Sequence, residues 1–157
     1  MRIGFGYDVH AFAEGRELWL GGIRIEHPYG LMGHSDADVL IHAMCDALLG
    51  AANLNDIGFH FPDTEDTFKD MSSIFILRHT MHLIQCAGYR FGNIDATIVA
   101  EQPKLLPYIP EMKRTLAEAM EVSINDISIK ATTTEKLGFT GRKEGIAAYA
   151  VTLLHKL

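Results

Sequence analysis

The stretch from His34 to Leu49, HSDADVLIHAMCDALL, constrains the fold of this chain more than any other. At 3.6 residues per turn its apolar side chains point in almost every direction, which is typical of a buried helix. Within it, Asp38, His42 and Asp46 recur at intervals of four, so they lie in one column on one helix face. Because burying ionisable groups is costly unless each has a partner or a metal ion, this column indicates a structural or chemical role.

Length and composition place few demands beyond a globular core. The 157 residues, 48% apolar and 22% charged, predict one domain spanning residues 1–157. A formal charge of −6 without a basic stripe argues against a general nucleic-acid binder. No run of 18 apolar residues predicts a membrane span, and the start lacks the apolar core of a signal peptide. We expect a cytoplasmic protein whose Cys45 and Cys86 are buried free thiols.

Periodicity and turn residues divide the chain into strands and helices. Strands are predicted at 1–8, 93–100, 127–131 and 146–155. Residues 17–25 are two short apolar runs broken by Gly21 and Gly22, which indicates a hairpin or a bulge. Helices are predicted at 34–49, capped by Ser35 or Asp36 and ended by Gly50, from Ser72 or Ser73 to Gly88, and from Pro110 to about Glu121. We therefore expect an α+β two-layer sandwich, a mixed sheet with helices on one face.

A metal site is one interpretation of the polar column. Asp8 and His10 are two residues apart at a predicted strand end, so both project to the same side. With His42 they give three ligands and an open fourth position, the pattern of catalytic zinc. Asp46 or Asp38, one turn from His42, could accept its second ring N–H. The alternatives are a capped turn at Asp8 and a core histidine at position 42.

Three other histidines give weaker signals. His79 and His82 are one helical turn apart, a spacing compatible with a metal, but we interpret them as an exposed helix face. His60 lies between Phe59 and Phe61, and it either points into a site or packs between the two rings.

The segment 130–145 indicates phosphate binding. Hydroxyls at Thr132, Thr133 and Thr134 combine with glycines and Arg142, which suits phosphate oxygens because hydroxyls and amides orient them and a guanidinium contacts two at once. Glu135 would repel phosphate unless Mg²⁺ or Mn²⁺ bridged the two. The alternative is an ordinary polar turn.

A second loop, AEQPKLLPYIP from Ala100 to Pro110, is stiffened by its prolines. Backbone groups held in place by prolines could bind the edge of a pyrimidine base. An ordinary strand-to-helix connector remains the alternative.

Five blocks, in order, resemble one family. They are DVHAF at 8–12, HSDADV at 34–39, DIG and FPDT within 56–64, PKLLP at 103–107 and ATTTEKLGFTGR at 131–142. They are similar to the 2-C-methyl-D-erythritol 2,4-cyclodiphosphate synthases of the non-mevalonate isoprenoid pathway, which form a cyclic diphosphate and release CMP.

The resemblance implies metal and catalytic roles. Asp8, His10 and His42 would bind Zn²⁺, with Asp8 and His10 also near substrate, and Glu135 would contact the second cation, Mg²⁺ or Mn²⁺. His34 and Thr133 would stabilise the transition state.

The resemblance also implies a substrate-binding set. His34 and Ser35 would face the diphosphate, and Asp56, Ile57 and Gly58 would hold the methylerythritol hydroxyls. The 2-phosphate end would be lined by Phe61, Pro62, Asp63, Thr64 and Glu65. An adjacent subunit would supply the cytosine pocket of Ala100, Glu101, Gln102, Pro103, Lys104, Leu105 and Leu106. The α- and β-phosphates would lie among Thr132, Thr133, Thr134 and Glu135, with Phe139 and Arg142 completing the site.

The family's assembly implies a homotrimer with active sites at subunit interfaces and an axial channel that holds isoprenoid diphosphates in some members. This chain departs from the family pattern at Phe5, Phe59 and Glu65, none of which is an implied metal ligand.

The resulting hypothesis is a metal-assisted attack of the 2-phosphate of 4-diphosphocytidyl-2-C-methyl-D-erythritol 2-phosphate on the β-phosphorus. Positioning and charge neutralisation would be the main sources of catalysis. Two alternatives remain: a zinc-dependent phosphohydrolase, and a non-catalytic binder of CDP or isoprenoid diphosphates.

Overall fold

A computed structural model describes residues 1–62 and 71–157. The strands are β1 (Arg2–Ala13), β2 (Leu18–Leu20), β3 (Ile23–Ile25), β4 (Gly30–Leu31), β5 (Tyr89–Val99), β6 (Ile127–Thr132) and β7 (Gly145–Lys156). The helices are α1 (Val39–Ala52), α2 (Ile57–His60), α3 (Ser73–Cys86), α4 (Ile109–Met120) and α5 (Gly138–Gly141), with 3-10 turns at Leu106–Tyr108 and Ile124–Asp126.

The main sheet has five strands in the order β4-β1-β7-β5-β6. β7 pairs antiparallel with β1 and with β5, while β5 and β6 run parallel, so the predicted mixed sheet is confirmed. β2 and β3 form the predicted hairpin, turning at Gly21 and Gly22 with φ of 63° and 77°. Both φ values lie in the left-handed region, where glycine carries no steric penalty.

Helix α1 packs directly on β1 and β7, and this contact forms the centre of the core. Every residue from Val39 to Leu49 is buried except Asp46, as the apolar pattern predicts. The helix approaches β1 so closely that a Cβ on Gly4 would lie 1.8 Å from the Ala47 carbonyl oxygen. Glycine at this position is therefore a requirement of the strand–helix contact.

The boundaries of α1 differ from the prediction at both ends. Asp38, and not Ser35 or Asp36, is the N-cap, because its carboxylate accepts the Ile41 backbone N–H at 3.1 Å. Gly50 lies within the helix, which instead ends at Asn53 in the left-handed conformation with φ of 60°.

β1 runs five residues beyond its predicted end, because its ladder with β7 continues to Ala11 and residues 12–13 pair with β4. Asp8 and His10 consequently lie within a paired strand, where backbone hydrogen bonds fix their direction. β5 begins four residues earlier than predicted, at Tyr89, with an irregular register between Phe91 and Asn93.

The elements that the sequence pattern missed are α2, α5 and β4, each two to four residues long. Such elements are too short to show a period. Cys45 is buried as predicted, but Cys86 is exposed because it lies on the outer side of α3 near its end. Among the described residues, no helix is long and apolar enough to cross a membrane.

The sheet face opposite α1 is apolar and uncovered in the single chain. Alternate residues of β1, namely Ile3, Phe5, Tyr7 and Val9, are 73%, 61%, 41% and 41% exposed. On β7, Tyr149 and Val151 continue this open face, and the rings of Tyr7 and Tyr149 lie 5.0 Å apart. An exposed patch of this kind marks an interaction surface.

Candidate metal centre and phosphate loop

Asp8, His10 and His42 converge where β1 crosses α1. His10 Nε2 lies 2.9 Å from Asp8 Oδ2, His42 Nδ1 lies 3.1 Å from the same oxygen, and the two nitrogens are 3.1 Å apart. Ligand atoms on a tetrahedral zinc ion, at 2.0–2.1 Å from the metal, lie about 3.3 Å from one another. The triangle of donor atoms therefore fits a divalent cation with little rearrangement, and the predicted grouping of these three residues is observed.

The outer ring nitrogens show which tautomers this group needs. His10 Nδ1 lies 2.6 Å from the Met32 carbonyl oxygen, which can only accept, so this nitrogen carries the proton and Nε2 offers its lone pair. His42 Nε2 lies 3.0 Å from Ser73 Oγ and 3.2 Å from Ser35 Oγ. When both rings are neutral and carry their protons on these outer nitrogens, His10 Nε2, His42 Nδ1 and the Asp8 carboxylate direct three lone pairs at one centre. A cation bound there satisfies them.

Electrostatics keep the Asp8 carboxylate ionised. Burial acts to raise the pKa of Asp8. Hydrogen bonds from His10 and His42, which need a proton on Nε2 and Nδ1 in place of a cation, outweigh burial and lower this pKa well below its usual range. Burial acts to lower the pKa of His10, but its hydrogen bond to Asp8 and the negative charge of that carboxylate raise it above its ordinary value. A proton therefore competes with a cation for this group.

The carboxylates of the two other acids of the polar column accept no hydrogen bond from the His42 ring, whose partners include Asp8, Ser35 and Ser73, and this corrects the prediction. Asp38 accepts backbone N–H groups from Gly21 at 2.9 Å, Gly22 at 2.7 Å and Ile41 at 3.1 Å. Burial and the nearby charge of Asp36 raise the pKa of Asp38, while these three amides act to lower it. Asp38 thus ties the β2–β3 turn to the start of α1.

Asp46 instead accepts the Ile57 backbone N–H at 2.9 Å and so holds α2 beside α1. Burial raises the pKa of Asp46, with Asp56 and Asp8 adding to the effect. Both acids face away from the outer nitrogen of His42 because that nitrogen points toward α3.

The residues predicted to line the substrate differ in exposure. His34 is exposed, and Ser35 is buried with its carbonyl held by Arg16 at 2.7 Å. Asp56 caps α2 through a bond from the Phe59 N–H, beside the half-buried Ile57 and the exposed Gly58. Phe61 and Pro62 are half-buried, and the Phe61 ring lies 5.3 Å from that of His79. Asp63, Thr64 and Glu65 lie outside the described residues.

The structure shows the surroundings of His60, His79 and His82. His60 donates from Nε2 to the Leu54 carbonyl at 2.7 Å and meets Phe59 edge-on, so it packs against its own short helix. His79 and His82 lie on the exposed face of α3, as interpreted from their spacing.

A separate cavity of about 230 Å³ lies between the proline loop, residues 100–110, and the threonine loop, residues 130–145. Its lining residues come from the ends of β5 and β6 and the loops that follow: Ala100, Glu101, Pro103, Lys104, Leu105, Leu106, Ala131, Thr132 and Thr133. Gln102 precedes Pro103 in a cis peptide bond. β5 and β6 are parallel neighbours, and this is why the two loops meet at one edge.

Hydrogen bonds stabilise the conformation of the threonine loop. Glu101 Oε1 accepts the backbone N–H of Thr134 at 3.2 Å and that of Lys136 at 3.1 Å. Thr133 Oγ1 donates to Glu135 Oε1 at 3.1 Å, and both side chains are exposed. Glu101, expected to contact substrate, thus points into the loop that it supports.

Phe139 and Arg142 frame the end of this loop. Phe139 is 36% exposed on α5. The Arg142 guanidinium makes two hydrogen bonds to Glu144, at 2.9 and 3.3 Å, which raise the pKa of Arg142 and lower that of Glu144. In the single chain this arginine is therefore paired with a carboxylate rather than free for phosphate.

Sequence reasoning missed three contributors to the centre: Met32, Ser73 and Asp36. Met32 acts through its carbonyl, which no side-chain pattern reveals. Ser73 and Asp36 are 37 positions apart, and Ser73 Oγ donates to Asp36. Asp36 within the HSDADV block was the one available signal, but its contact depends on the tertiary packing of α3.

The chain matches known proteins over its whole length. A sequence profile of the YgbB family matches residues 1–155. A relative from Parabacteroides distasonis, named 2-C-methyl-D-erythritol 2,4-cyclodiphosphate synthase, is 68% identical over 157 residues, which are 100% of this chain and 98% of the relative.

Solved structures agree with the architecture. The bifunctional IspDF from Campylobacter jejuni superposes with a TM-score of 0.96 at 42% identity, covering 99% of this chain and 42% of the longer one. A 2C-methyl-D-erythritol-2,4-cyclodiphosphate synthase in a CDP-bound form superposes with a TM-score of 0.90 at 36% identity, covering 98% and 100%. This chain belongs to the YgbB family, together with relatives named 2-C-methyl-D-erythritol 2,4-cyclodiphosphate synthase.

Proposed function

We propose that the protein converts 4-diphosphocytidyl-2-C-methyl-D-erythritol 2-phosphate to 2-C-methyl-D-erythritol 2,4-cyclodiphosphate and CMP in isoprenoid biosynthesis. An oxygen of the 2-phosphate forms a bond to the β-phosphorus. The bond between the β-phosphorus and the bridging oxygen breaks, and CMP leaves with that oxygen and its electron pair. Since a phosphate dianion is already a nucleophile, the residues have to position and neutralise charge rather than abstract a proton.

The observation that carries this proposal is the 2.9–3.1 Å triangle of Asp8, His10 and His42 in a chain of this family. These residues would hold one Zn²⁺ per subunit, and their three donors leave room for a phosphate oxygen. When bound, such a cation supplies Lewis-acid polarisation of a phosphoryl oxygen and neutralises its charge. Exposed His34 would donate a hydrogen bond to the diphosphate, beside Ser35.

The threonine loop would hold the nucleotide end. Backbone groups of residues 100–106, most of which line the 230 Å³ cavity, would bind cytosine, and the hydroxyls of residues 132–134 would bind the α- and β-phosphates. We propose that Thr133 stabilises the transition state. Glu135 would contact Mg²⁺ or Mn²⁺ through the carboxylate oxygen that the Thr133 hydrogen bond leaves free. Phe139 and Arg142 would complete the site, with Arg142 leaving Glu144 when substrate binds.

Within one chain the metal centre and the nucleotide cavity lie at the same end of the sheet, but they are not adjacent. Asp8 pairs with Ala148, Ala148 with Ile98, and Ile98 with Ala131. Three strand spacings separate Asp8 from Ala131 by about 14 Å. We propose that each metal centre is completed by the nucleotide cavity of an adjacent subunit.

The open sheet face supports a homotrimer as that assembly. Its exposed apolar side chains, including Phe5, Tyr7 and Val151, need cover, and a second and third copy would supply it. The enclosed axial channel would take an isoprenoid diphosphate. We further propose that residues 1–157 form a single cyclodiphosphate synthase domain that works in the cytoplasm.

Phosphorus NMR tests the reaction directly. The purified protein is incubated with the diphosphocytidyl substrate, Zn²⁺ and Mg²⁺, and the phosphorus signals are followed. We expect CMP and the cyclic diphosphate to appear in equal amounts. Inorganic phosphate or a linear product would instead identify a zinc-dependent phosphohydrolase. Saturable binding of CDP without turnover would identify a non-catalytic binder.

A further inference from the structure

We propose that Ser73 and Asp36 are positioning residues that set which nitrogen of His42 carries the ring proton, so that the nitrogen facing the metal centre keeps its lone pair. Through them, the first turn of α3 is tied to the same imidazole. This inference rests on the proposed metal-dependent function, but it concerns residues that neither bind substrate nor ligate the cation.

The direction of the hydrogen bonds follows from chemistry. The carboxylate of Asp36 can only accept, so the Ser73 hydroxyl donates its one proton to Asp36. Ser73 Oγ can then only accept from His42 Nε2, which lies 3.0 Å away. Nε2 must therefore carry a proton, and when the ring is neutral Nδ1 is left unprotonated on the side of Asp8 and His10. The Asp36 carboxylate thus fixes the tautomer of His42 through the Ser73 hydroxyl.

Ser35 does not decide this tautomer. Its Oγ lies 3.2 Å from His42 Nε2 and accepts the Ala37 backbone N–H at 3.1 Å. Because no carboxylate within residues 1–62 and 71–157 holds its hydroxyl proton, Ser35 can act either as donor or as acceptor toward the ring. Ser73, whose proton is committed to Asp36, cannot change role in this way.

Asp36 also fastens the loop before α1 to the start of α3. Its Oδ2 accepts the Ser73 backbone N–H at 2.9 Å, and its own N–H points to the Met71 carbonyl at 3.4 Å. Ser73 is fully buried, so its hydroxyl has no access to water as an alternative partner. The orientation of His42 therefore depends on where α3 begins, on the far side of the ring from β1.

Two measurements distinguish a positioning role of Ser73 and Asp36 from a purely structural one. The first is Zn²⁺ affinity, measured by competition with a chromophoric chelator. The second is the tautomer of His42, measured by nitrogen-15 NMR on metal-free protein in alkaline buffer. The variants are Ser73→Ala, Asp36→Asn and, as the matched control, Ser72→Ala. Ser72 is exposed, and its side chain makes no capping hydrogen bond to α3.

We expect S73A to weaken Zn²⁺ binding about 10- to 100-fold and to give a mixture of His42 tautomers. D36N should act in the same direction, because its amide has one accepting oxygen where the carboxylate uses two, and the charge is lost. S72A should match the original protein in both readouts.

The inference is overturned if S73A or D36N, folded by circular dichroism, keeps both the original Zn²⁺ affinity and a pure Nε2–H tautomer. If S73A does not fold, D36N alone decides in the same way. Failure of the proposed function gives a different result: the original protein would form no cyclic diphosphate, while the tautomer measurement on metal-free protein would still report on Ser73 and Asp36.

Discussion

The backbone of Gly6 lies directly against the carbonyl group of Ala43. A Cβ built on Gly6 would be only 1.9 Å from the Ala43 oxygen. Gly6 precedes Asp8 by two residues on the same strand face, and Ala43 follows His42 on α1. The close approach of strand and helix at this point is therefore what brings the carboxylate and the imidazole within 3.1 Å of each other.

Replacing Gly6 with alanine should damage both the fold and the metal centre. Since the Cβ meets helix backbone, α1 has to move, and we expect a loss of more than about 3 kcal/mol of unfolding free energy. Chemical denaturation and zinc analysis measure the two effects. Gly50→Ala is the control. Outside its own helix no atom of the described residues lies within 4 Å of a Cβ built there, so this change should stabilise α1 by about 0.5–1 kcal/mol. Equal stability of the two variants would contradict this account of the contact.

His42→Ala should abolish zinc retention and CMP release together. Removing one of three ligands should lower Zn²⁺ affinity by more than about 100-fold. Zinc content after dialysis and the rate of CMP release measure the effect. His79→Ala, on the exposed face of α3, should leave zinc content unchanged. An H42A protein that turns over substrate without zinc would refute the metal assignment.

Asp38→Ala should destabilise the protein by about 2–4 kcal/mol without removing a metal ligand. Three backbone N–H groups lose their shared acceptor, two of them in the β2–β3 turn. Urea denaturation measures the change. Ser72→Ala, which removes a serine at a helix start that makes no capping bond, should fall within about 0.5 kcal/mol of the original protein. A D38A protein of unchanged stability would show that water replaces the carboxylate.

Glu101→Ala should weaken substrate binding while zinc content stays the same. Without the carboxylate, the amides of Thr134 and Lys136 lose their partner, and the loop that presents Thr133 is released. We expect KM to rise about 10-fold, equivalent to about 1.4 kcal/mol. Glu101→Gln keeps an accepting oxygen and should lie between E101A and the original. The idea fails if E101A and E101Q have the KM of the original protein.

Zinc retention should fall as pH decreases through the raised pKa of His10. The hydrogen bond to Asp8 and its charge raise this pKa above the ordinary value of about 6.5, so the proton displaces the cation already in mildly acidic buffer. Asp8 stays ionised over the same range because its pKa is lowered. Zinc content after dialysis from pH 8 to pH 5, with circular dichroism as the control for folding, measures the effect. Full retention at pH 5 would contradict it.

Much of the architecture follows from local pattern. The apolar periodicity of residues 39–49 requires a buried helix, and alternation requires the strands of the sheet. α2 and α5 could not be predicted in this way, because four residues show no period, and each depends on contacts made elsewhere, as α2 does on Asp46.

The residue pattern alone predicts the types of ligand and the family of the chain, through an Asp-x-His strand, a helical histidine, and the blocks shared with the synthases. How the polar column is used depends on tertiary packing. Asp38 serves the β2–β3 turn, Asp46 serves α2, and His42 receives its outer partner from α3 through Ser73 and Asp36. The physical reason is that helical spacing fixes which face a side chain occupies, whereas its hydrogen-bond partner depends on which distant backbone packs against that face.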